Sequence, residues 1–462
     1  MSECHVMNLL KQTYELTPAE HIAYLYQRNV PRYTSYPTAL EFSDDDYNTP
    51  LLANIANLTT PISLYIHIPF CHSLCYYCGC NKRVTRDNSK ADEYLHYLGL
   101  EIAQIAQHNP EITISHIHYG GGSPSFLSIE QHTKLMHLLT SHFNLASECQ
   151  MSIECDPRNL TLPYIQHLAK LGFTRMSLGV QDVDPIVQTT INRVQSSSHI
   201  QACIADAYHA GFSSINLDII VGLPEQNLTT IQHTLSALAQ FNVDRISVFN
   251  YAHLPERFAA QRKFSKHNMP APELKQQMTY HIAQTLQSMG YQAIGMDHFA
   301  KPNDSLAVAA NKGVLSRNFQ GYTCDQNDQI LGLGVSAISN ISNIRAQNAV
   351  DLKRYYQQVT TESLRHKGRQ LTQDDLIRGD LINQLMCNYT INLAAISQRW
   401  SIDADKYFAH EIDSLAFYSS LGIVTKHQQQ YSISTQHKPL VRVIAQLFDQ
   451  YKKDQTRFSS VI

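Results

Sequence analysis

From Ser63 to Phe249, short β-type runs alternate with amphipathic stretches of helical period, and nothing else in the sequence constrains the fold as tightly. The strand candidates are Ser63 to Ile68, His116 to Tyr119, Met151 to Glu154, Thr174 to Leu178, Ile215 to Ile220 and Arg245 to Phe249. Between them lie helical candidates at Ala91 to Gln107, Ile129 to Phe143, Leu162 to Leu171, His199 to Ala210 and Leu228 to Phe241. Strands joined by connections of helix length pair in parallel, with right-handed crossovers. The pattern therefore predicts an α/β fold whose sheet curls into a partial (β/α)6 barrel.

Polar and glycine-rich residues gather where these strands end. Gly120-Gly121-Gly122 follows the second strand, Glu154 closes the third, Gly179-Val180-Gln181 the fourth and Gly222-Leu223-Pro224 the fifth. In barrel enzymes the C-terminal strand ends carry the site, so these residues are expected to converge on one mouth. Any one glycine would serve a tight strand-to-helix turn. The set, beside a cysteine cluster, reads as a site.

At 462 residues the chain exceeds one ordinary core. The expected division is an N-terminal extension over 1–60 packing on the barrel, a catalytic domain over 61–340, and a mainly helical C-terminal domain over 341–462. In the extension, the prolines of Pro31 to Pro37 forbid a regular helix. In the last domain, helices are expected at Asp375 to Met386 and Lys438 to Lys452, with a wing-like strand at Tyr431 to Ser434. A net charge of -3 gives no basic field for nucleic acid, so the wing does not imply DNA binding. Lys11, Glu15 and Glu20 interrupt the N-terminus, and the longest apolar run, Ile215 to Leu223, is broken by Asn216 and Asp218. A cytoplasmic chain without a membrane segment is expected. With no heptads evident, a monomer is the default.

Four of the ten cysteines fall in Cys71-His72-Ser73-Leu74-Cys75-Tyr76-Tyr77-Cys78-Gly79-Cys80, directly after the first strand. The other six, Cys4, Cys149, Cys155, Cys203, Cys324 and Cys387, show no ligand spacing and read as buried or incidental thiols. Cys71, Cys75 and Cys78 can each bind a different iron of one cubane, leaving the fourth iron open for a small molecule. A structural zinc site would take ligand pairs from two separated segments, whereas these four share one short loop. A redox pair at Cys75 and Cys78 is the other alternative, and Cys71 at the matching distance speaks against it.

Cys71-x-x-x-Cys75-x-x-Cys78 after the first strand of such an array resembles the cluster motif of the radical S-adenosylmethionine (SAM) superfamily. The longer string from His67 to Lys82 is similar to the oxygen-independent coproporphyrinogen III oxidases of that superfamily. So are the blocks Pro31 to Pro37, Tyr119 to Pro124, Ser152 to Pro157, Gly179 to Asp182, Asn250 to Pro255, Gly295 to Ala300 and Arg317 to Tyr322. The resemblance implies a [4Fe-4S] cluster and two SAM molecules. It also implies oxidative decarboxylation of two propionates of coproporphyrinogen III to vinyl groups, giving protoporphyrinogen IX in haem biosynthesis, with an unidentified electron donor and electron acceptor. Related haem-binding chaperones keep the three cysteines, but usually lack Cys80 and the Pro31 to Pro37 segment, both of which stand here.

By motif, the resemblance places Tyr65, Gly121 and Glu154 at the first SAM. It places Tyr77, Gly122, Ser123, Gln181, Arg193, Asp218, Ala252 and Ile338 at the second. Ser123 departs from the family's more frequent threonine and keeps the hydroxyl. On pattern alone Tyr65 would fit plain packing, Arg193 a surface charge and Gln181 a helix cap. Asp218 in a buried strand needs a polar partner. His116 and His118 share a strand face and read as structural. Arg32 and Arg317 are the candidates for meeting the substrate's carboxylates.

Overall fold

The computed structural model describes residues 17–325, 329–364, 367–451, 458 and 461. Cys4, Lys11 and Glu15 lie outside them, as does the last residue of the helix expected at Lys438 to Lys452. The chain forms two compact units, one over residues 39–372 and one joining residues before 39 to those after 372.

The larger unit is built on β1 (Ile62–Ile68), α1 (Ser89–Ala106), β2 (Thr113–Gly121), α2 (Ile129–His142), β3 (Asn144–Cys155), α3 (Leu162–Lys170), β4 (Arg175–Gln181), α4 (Ser197–Ala210), β5 (Ser214–Val221), α5 (Leu228–Phe241) and β6 (Arg245–Asn250). Strands β1 to β6 pair in sequence order, all parallel. The α/β reading stands, and every expected strand and crossover helix forms within a few residues of its expected place. The exception is β3, which starts earlier, where a register shift between Ile114 and His116 admits the extra residues.

The two faces of this sheet differ sharply. One set of rows runs Leu64, Ile117, Met151 and Ile66, Tyr119, Ile153, Met176, Ile215, all buried against the crossover helices. The alternate rows run Tyr65, His118, Ser152, Arg175, Ser214 and Glu154, Ser177, Asn216, Arg245. Side chains alternate faces along a strand, so these rows put mostly polar side chains on the inner face of the curl, with Phe249 an apolar exception. A filled (β/α) barrel packs branched apolar residues there. This one instead keeps a cavity of about 300 Å³, lined among others by His118, Glu154, Ser177, Asn216, Asp218 and Ser247.

Among the described residues the sheet continues on both sides to thirteen strands. Past β6 come α6 (Pro272–Ser288), β7 (Gln292–Ile294) and β8 (His298–Ala300), with β8 antiparallel to β6. Past β1 lie β9 (Ile330–Leu333), parallel to it, then the antiparallel β10 (Ile338–Ile341), β11 (Ile344–Gln347) and β12 (Lys367–Gln370). The expected change of pattern at residue 340 is therefore not a domain boundary. Ser342, in a left-handed conformation with φ 53°, and Asn343 turn β10 into β11, and the meander stays in the larger unit.

In the smaller unit the Pro31 to Pro37 stretch is irregular: Tyr33 is left-handed with φ 46°, residues 34–37 bend, and the Tyr36–Pro37 bond is cis. Its buried tyrosines bond to residues from the other end of the chain: Tyr33 Oη donates to Asp449 at 2.9 Å, and Tyr36 Oη accepts from Gln450 N at 3.0 Å. Arg442 donates to the carbonyls of Val30 and Pro31. These bonds join the stretch to the C-terminal residues of its own unit, so the boundaries expected at 60 and 340 fall instead near 38 and 372. Helix Gln373–Asn388 covers Asp375 to Met386, and Gln430–Ile433 is the expected wing strand, flanked by Thr390–Asn392 and Val424–His427. The helix expected from Lys438 is instead a run of short turns, Thr435–Leu440, Val441–Ala445 and Gln446–Phe448.

Candidate active site

The cysteine loop leaves the C-terminal end of β1 and is pinned by backbone bonds on both sides. Arg83 N donates to Pro69 O at 2.6 Å, Thr85 N to Cys71 O at 3.0 Å and Tyr76 N to Ile191 O at 3.0 Å. Asn192 Nδ2 donates to Leu74 O at 2.8 Å, and Lys82 Nζ to Cys78 O at 2.8 Å. Cys75 is buried, Cys71 and Cys78 are half-buried, and Cys80 is exposed. Burial, with Cys78 and Cys75 nearby, pushes the Cys71 thiol up to about 12. The Cys80 thiol, followed by Lys82, pulls Cys78 down to about 6.

The donor set fits an iron–sulfur cluster. Among the described residues no three His, Cys, Asp or Glu donors converge closely enough to hold a single metal ion. A mononuclear site needs that convergence, and a cubane, with one thiolate on each of three irons, does not. Two guanidiniums also face the Cys75 sulfur, Arg193 Nη1 at 3.4 Å and Arg158 Nη2 at 3.7 Å, as suits an anionic thiolate–cluster assembly.

Beside the loop, the glycine turn after β2 presses on the end of β1. A Cβ on Gly121, whose φ is +120°, would stand 2.7 Å from the His67 ring, and one on Gly122 would stand 2.8 Å from the Pro69 carbonyl. These glycines are thus required by the chain's own close approach. Tyr65 Oη bonds His67 Nδ1 at 3.0 Å, and His67 Nε2 meets Asn81 O at 3.0 Å. Because a carbonyl only accepts, Nε2 carries the proton and Nδ1 accepts from Tyr65. Burial lowers the His67 pKa and keeps the ring neutral.

Glu154 ends β3. Its Oε2 accepts from Gly121 N at 3.3 Å and its Oε1 lies 3.2 Å from His118 Nε2. Burial alone would raise this carboxyl; the bond from His118 and its charge, with the Gly121 N–H, outweigh burial and hold it below the ordinary range. Asp218, on β5, finds its partners in Ser177 Oγ at 3.0 Å and Asn216 Nδ2 at 2.8 Å. Burial first, and Glu154 second, push it up to about 6.

Arg193 is buried and holds Gly179 O through Nε at 3.2 Å and Nη2 at 2.5 Å, while Nη1 meets Cys75 and, at 3.3 Å, Asp156. The surface-charge reading does not describe it. Gln181, with φ 68°, lays its side chain with Arg193 over Gly179. Tyr77 is half-buried against the apolar cluster of Val187, Ile191, Ile220 and Leu223. Gln261 Nε2 ties Tyr77 O at 3.0 Å to Ala252 O at 3.2 Å. Ser123 Oγ bonds Ser125 Oγ at 3.0 Å, and Ser125 Oγ accepts from Asp156 N at 3.0 Å. Ile338 opens β10, two strands from β1 across β9.

Of the remaining candidates, His118 orients Glu154, and His116 Nδ1 meets Asp325 at 3.1 Å. The Arg317 guanidinium stacks 4.5 Å over the Tyr322 ring, and Arg32 belongs to the smaller unit. Sequence reasoning passed over Asp156 and Arg158. Their signal was position: they immediately follow the strand end that carries Glu154.

Comparison with known proteins agrees with this geometry. The family model described as the radical SAM superfamily matches residues 65–238. An oxygen-independent coproporphyrinogen III oxidase of Escherichia coli is 45% identical over 95% of this chain and 97% of its own. One from Synechocystis is 38% identical over 95% and 96%. The solved structure of the Escherichia coli coproporphyrinogen III oxidase, a radical SAM enzyme, matches with a TM-score of 0.89 at 44% identity, over 92% of this chain and all of that one. The curled parallel sheet with its three-thiol loop is that of a radical SAM oxidoreductase, a class that implies a [4Fe-4S] cluster and SAM. Within the class, the chain belongs to the oxygen-independent coproporphyrinogen III oxidase family. Among the described residues no helix is long and apolar enough to cross a membrane.

Proposed function

We propose that this chain converts two propionate side chains of coproporphyrinogen III to vinyl groups without oxygen, yielding protoporphyrinogen IX for haem biosynthesis, as a cytoplasmic monomer. The observation that carries the reading is a pinned three-thiol loop at the C-terminal end of β1, beside the Gly121 turn and Glu154, in a chain similar along nearly its whole length to the oxidases.

Cys71, Cys75 and Cys78 would hold three irons of a [4Fe-4S] cluster. When bound, the cluster and SAM would supply radical hydrogen abstraction, directed at the propionate carbon next to the ring. The chain's part is binding, orientation and exclusion of water. Glu154, kept anionic by His118, would accept the ribose hydroxyls of a first SAM beside Tyr65 and Gly121. A second SAM would lie among Tyr77, Gly122, Ser123, Gln181, Arg193, Asp218, Ala252 and Ile338. Four of the five Arg193 N–H groups are already used by Gly179, Cys75 and Asp156, so one is left for a ligand carboxylate. Each vinyl group would form by loss of one hydrogen atom, of carbon dioxide and of one further electron to an external acceptor, and a separate external donor would supply the electron that the radical chemistry needs.

Coproporphyrinogen III deuterated at the propionate carbons next to the rings tests this reading. Anaerobic turnover should place deuterium in 5'-deoxyadenosine, and vinyl product formed with unlabelled 5'-deoxyadenosine would refute the assigned hydrogen abstraction.

A further inference from the structure

Beyond β3 the chain turns through Asp156, Pro157 and Arg158, and the turn is fixed at both ends. Asp156 N donates to Ser125 Oγ at 3.0 Å, and the Asp156 carboxylate caps the next turn by accepting from Arg158 N at 3.2 Å. The same carboxylate takes the Arg158 guanidinium as a fork, Nε at 2.9 and 3.1 Å and Nη2 at 2.6 Å, and meets Arg193 Nη1 at 3.3 Å. Both guanidiniums then reach the buried Cys75 sulfur, at 3.7 Å from Arg158 and 3.4 Å from Arg193. A cap alone would need only the carboxylate. Folding Arg158 back onto its own neighbour aims one N–H at a sulfur 83 residues away in sequence.

We propose that Arg158, held by Asp156, acts with Arg193 as a positioning clamp on the Cys75 sulfur that raises the reduction potential of the cluster. This rests on the reading of Cys75 as an iron ligand. When the cluster passes from [4Fe-4S]2+ to [4Fe-4S]1+, it accepts one electron from a low-potential one-electron donor, and negative charge on its ligand sulfurs grows. Hydrogen bonds and positive charge at a sulfur stabilise the reduced form more than the oxidised one, so they raise the potential. Burial of Cys75 keeps solvent and salt from screening the effect.

The test is a redox titration of the anaerobically reconstituted full chain, with dithionite or titanium citrate as electron donor, followed by electron paramagnetic resonance of the reduced cluster. Arg158→Gln should keep its iron and sulfide and lower the equilibrium constant for one-electron reduction about tenfold, a midpoint drop of about 59 mV. Arg158→Lys, which keeps the charge but loses the planar fork, should recover part of that shift. Arg158→Met guards against a folding defect, since it keeps the packed stem without the charge and should shift downward as well. A cluster-loaded Arg158→Gln or Arg158→Met chain that titrates at the parent midpoint overturns the proposal. A parent chain that assembles no [4Fe-4S] cluster overturns the underlying reading instead.

Discussion

Replacing Glu101 by alanine should loosen the platform on which the cysteine loop stands. Glu101 lies on α1 with none of its surface exposed. Its Oε2 accepts from Gly334 N at 2.8 Å and Tyr355 Oη at 2.7 Å, and its Oε1 from Asn348 Nδ2 at 2.8 Å. The Gly334 turn in turn packs on the end of β1: Val335 N donates to Tyr94 Oη at 3.0 Å, and Tyr94 Oη donates to His67 O at 2.6 Å. Alanine strips the acceptor from three buried donors, each worth about 1–3 kcal/mol when left unmade. With water entering the vacated space, a net loss of about 3–5 kcal/mol follows at the low end of that sum. Unfolding entropy scales with length, so in a unit of this size the melting temperature falls by roughly 4–7 °C. Glutamine keeps one oxygen, best placed at the Oε2 position where it serves two donors, and should cost about 1–3 kcal/mol. Scanning calorimetry reads both variants, and iron per chain reads the effect on the loop. A Glu101→Ala chain that melts within about 1 °C of the parent and binds full iron would refute the argument.

Two other perturbations follow from the geometry. Gly122→Ala drives a Cβ to 2.8 Å from the Pro69 carbonyl, a backbone atom that cannot step aside, so iron bound per chain should drop by half or more while far-ultraviolet circular dichroism is unchanged. Asp182, buried among Gln226, Thr234 and the Asp184 N–H, is pushed by burial from 3.8 up to about 6. The native chain therefore binds this proton more tightly than the unfolded one, and the contribution favours folding at low pH and is lost as pH rises from about 4 to 6, about 3 kcal/mol in all. Denaturant midpoints at pH 4.5 and 6.5 should show that decline in the parent and a shallower one in Asp182→Asn.

The order of strands and helices was legible because each run kept a single period, and a candidate site could be picked out because glycines and acids sit at strand ends. The polar rows of the inner face were also written in the sequence, as the alternation Ser63, Tyr65, His67 and Asn216, Asp218 between buried aliphatics. Only the register shows that these positions face one another across β1 to β5. The meander over β10 to β12 was hidden by short strands whose polar residues, Ser339, Asn340 and Arg345, are buried by tertiary contacts and not by any apolar pattern. The joining of Tyr33 and Tyr36 to Asp449 and Gln450 spans more than four hundred residues and leaves no local trace. The same holds for Arg158 and Arg193 meeting at Cys75, since each looks locally like an ordinary loop cation.

The central claim is tested most directly by anaerobic reconstitution with iron and sulfide, followed by incubation with SAM, a reductant, an electron acceptor and coproporphyrinogen III. The account predicts protoporphyrinogen IX together with 5'-deoxyadenosine, and neither product from Cys75→Ala. A reconstituted chain that binds its cluster and cleaves SAM but leaves coproporphyrinogen III unchanged would contradict it.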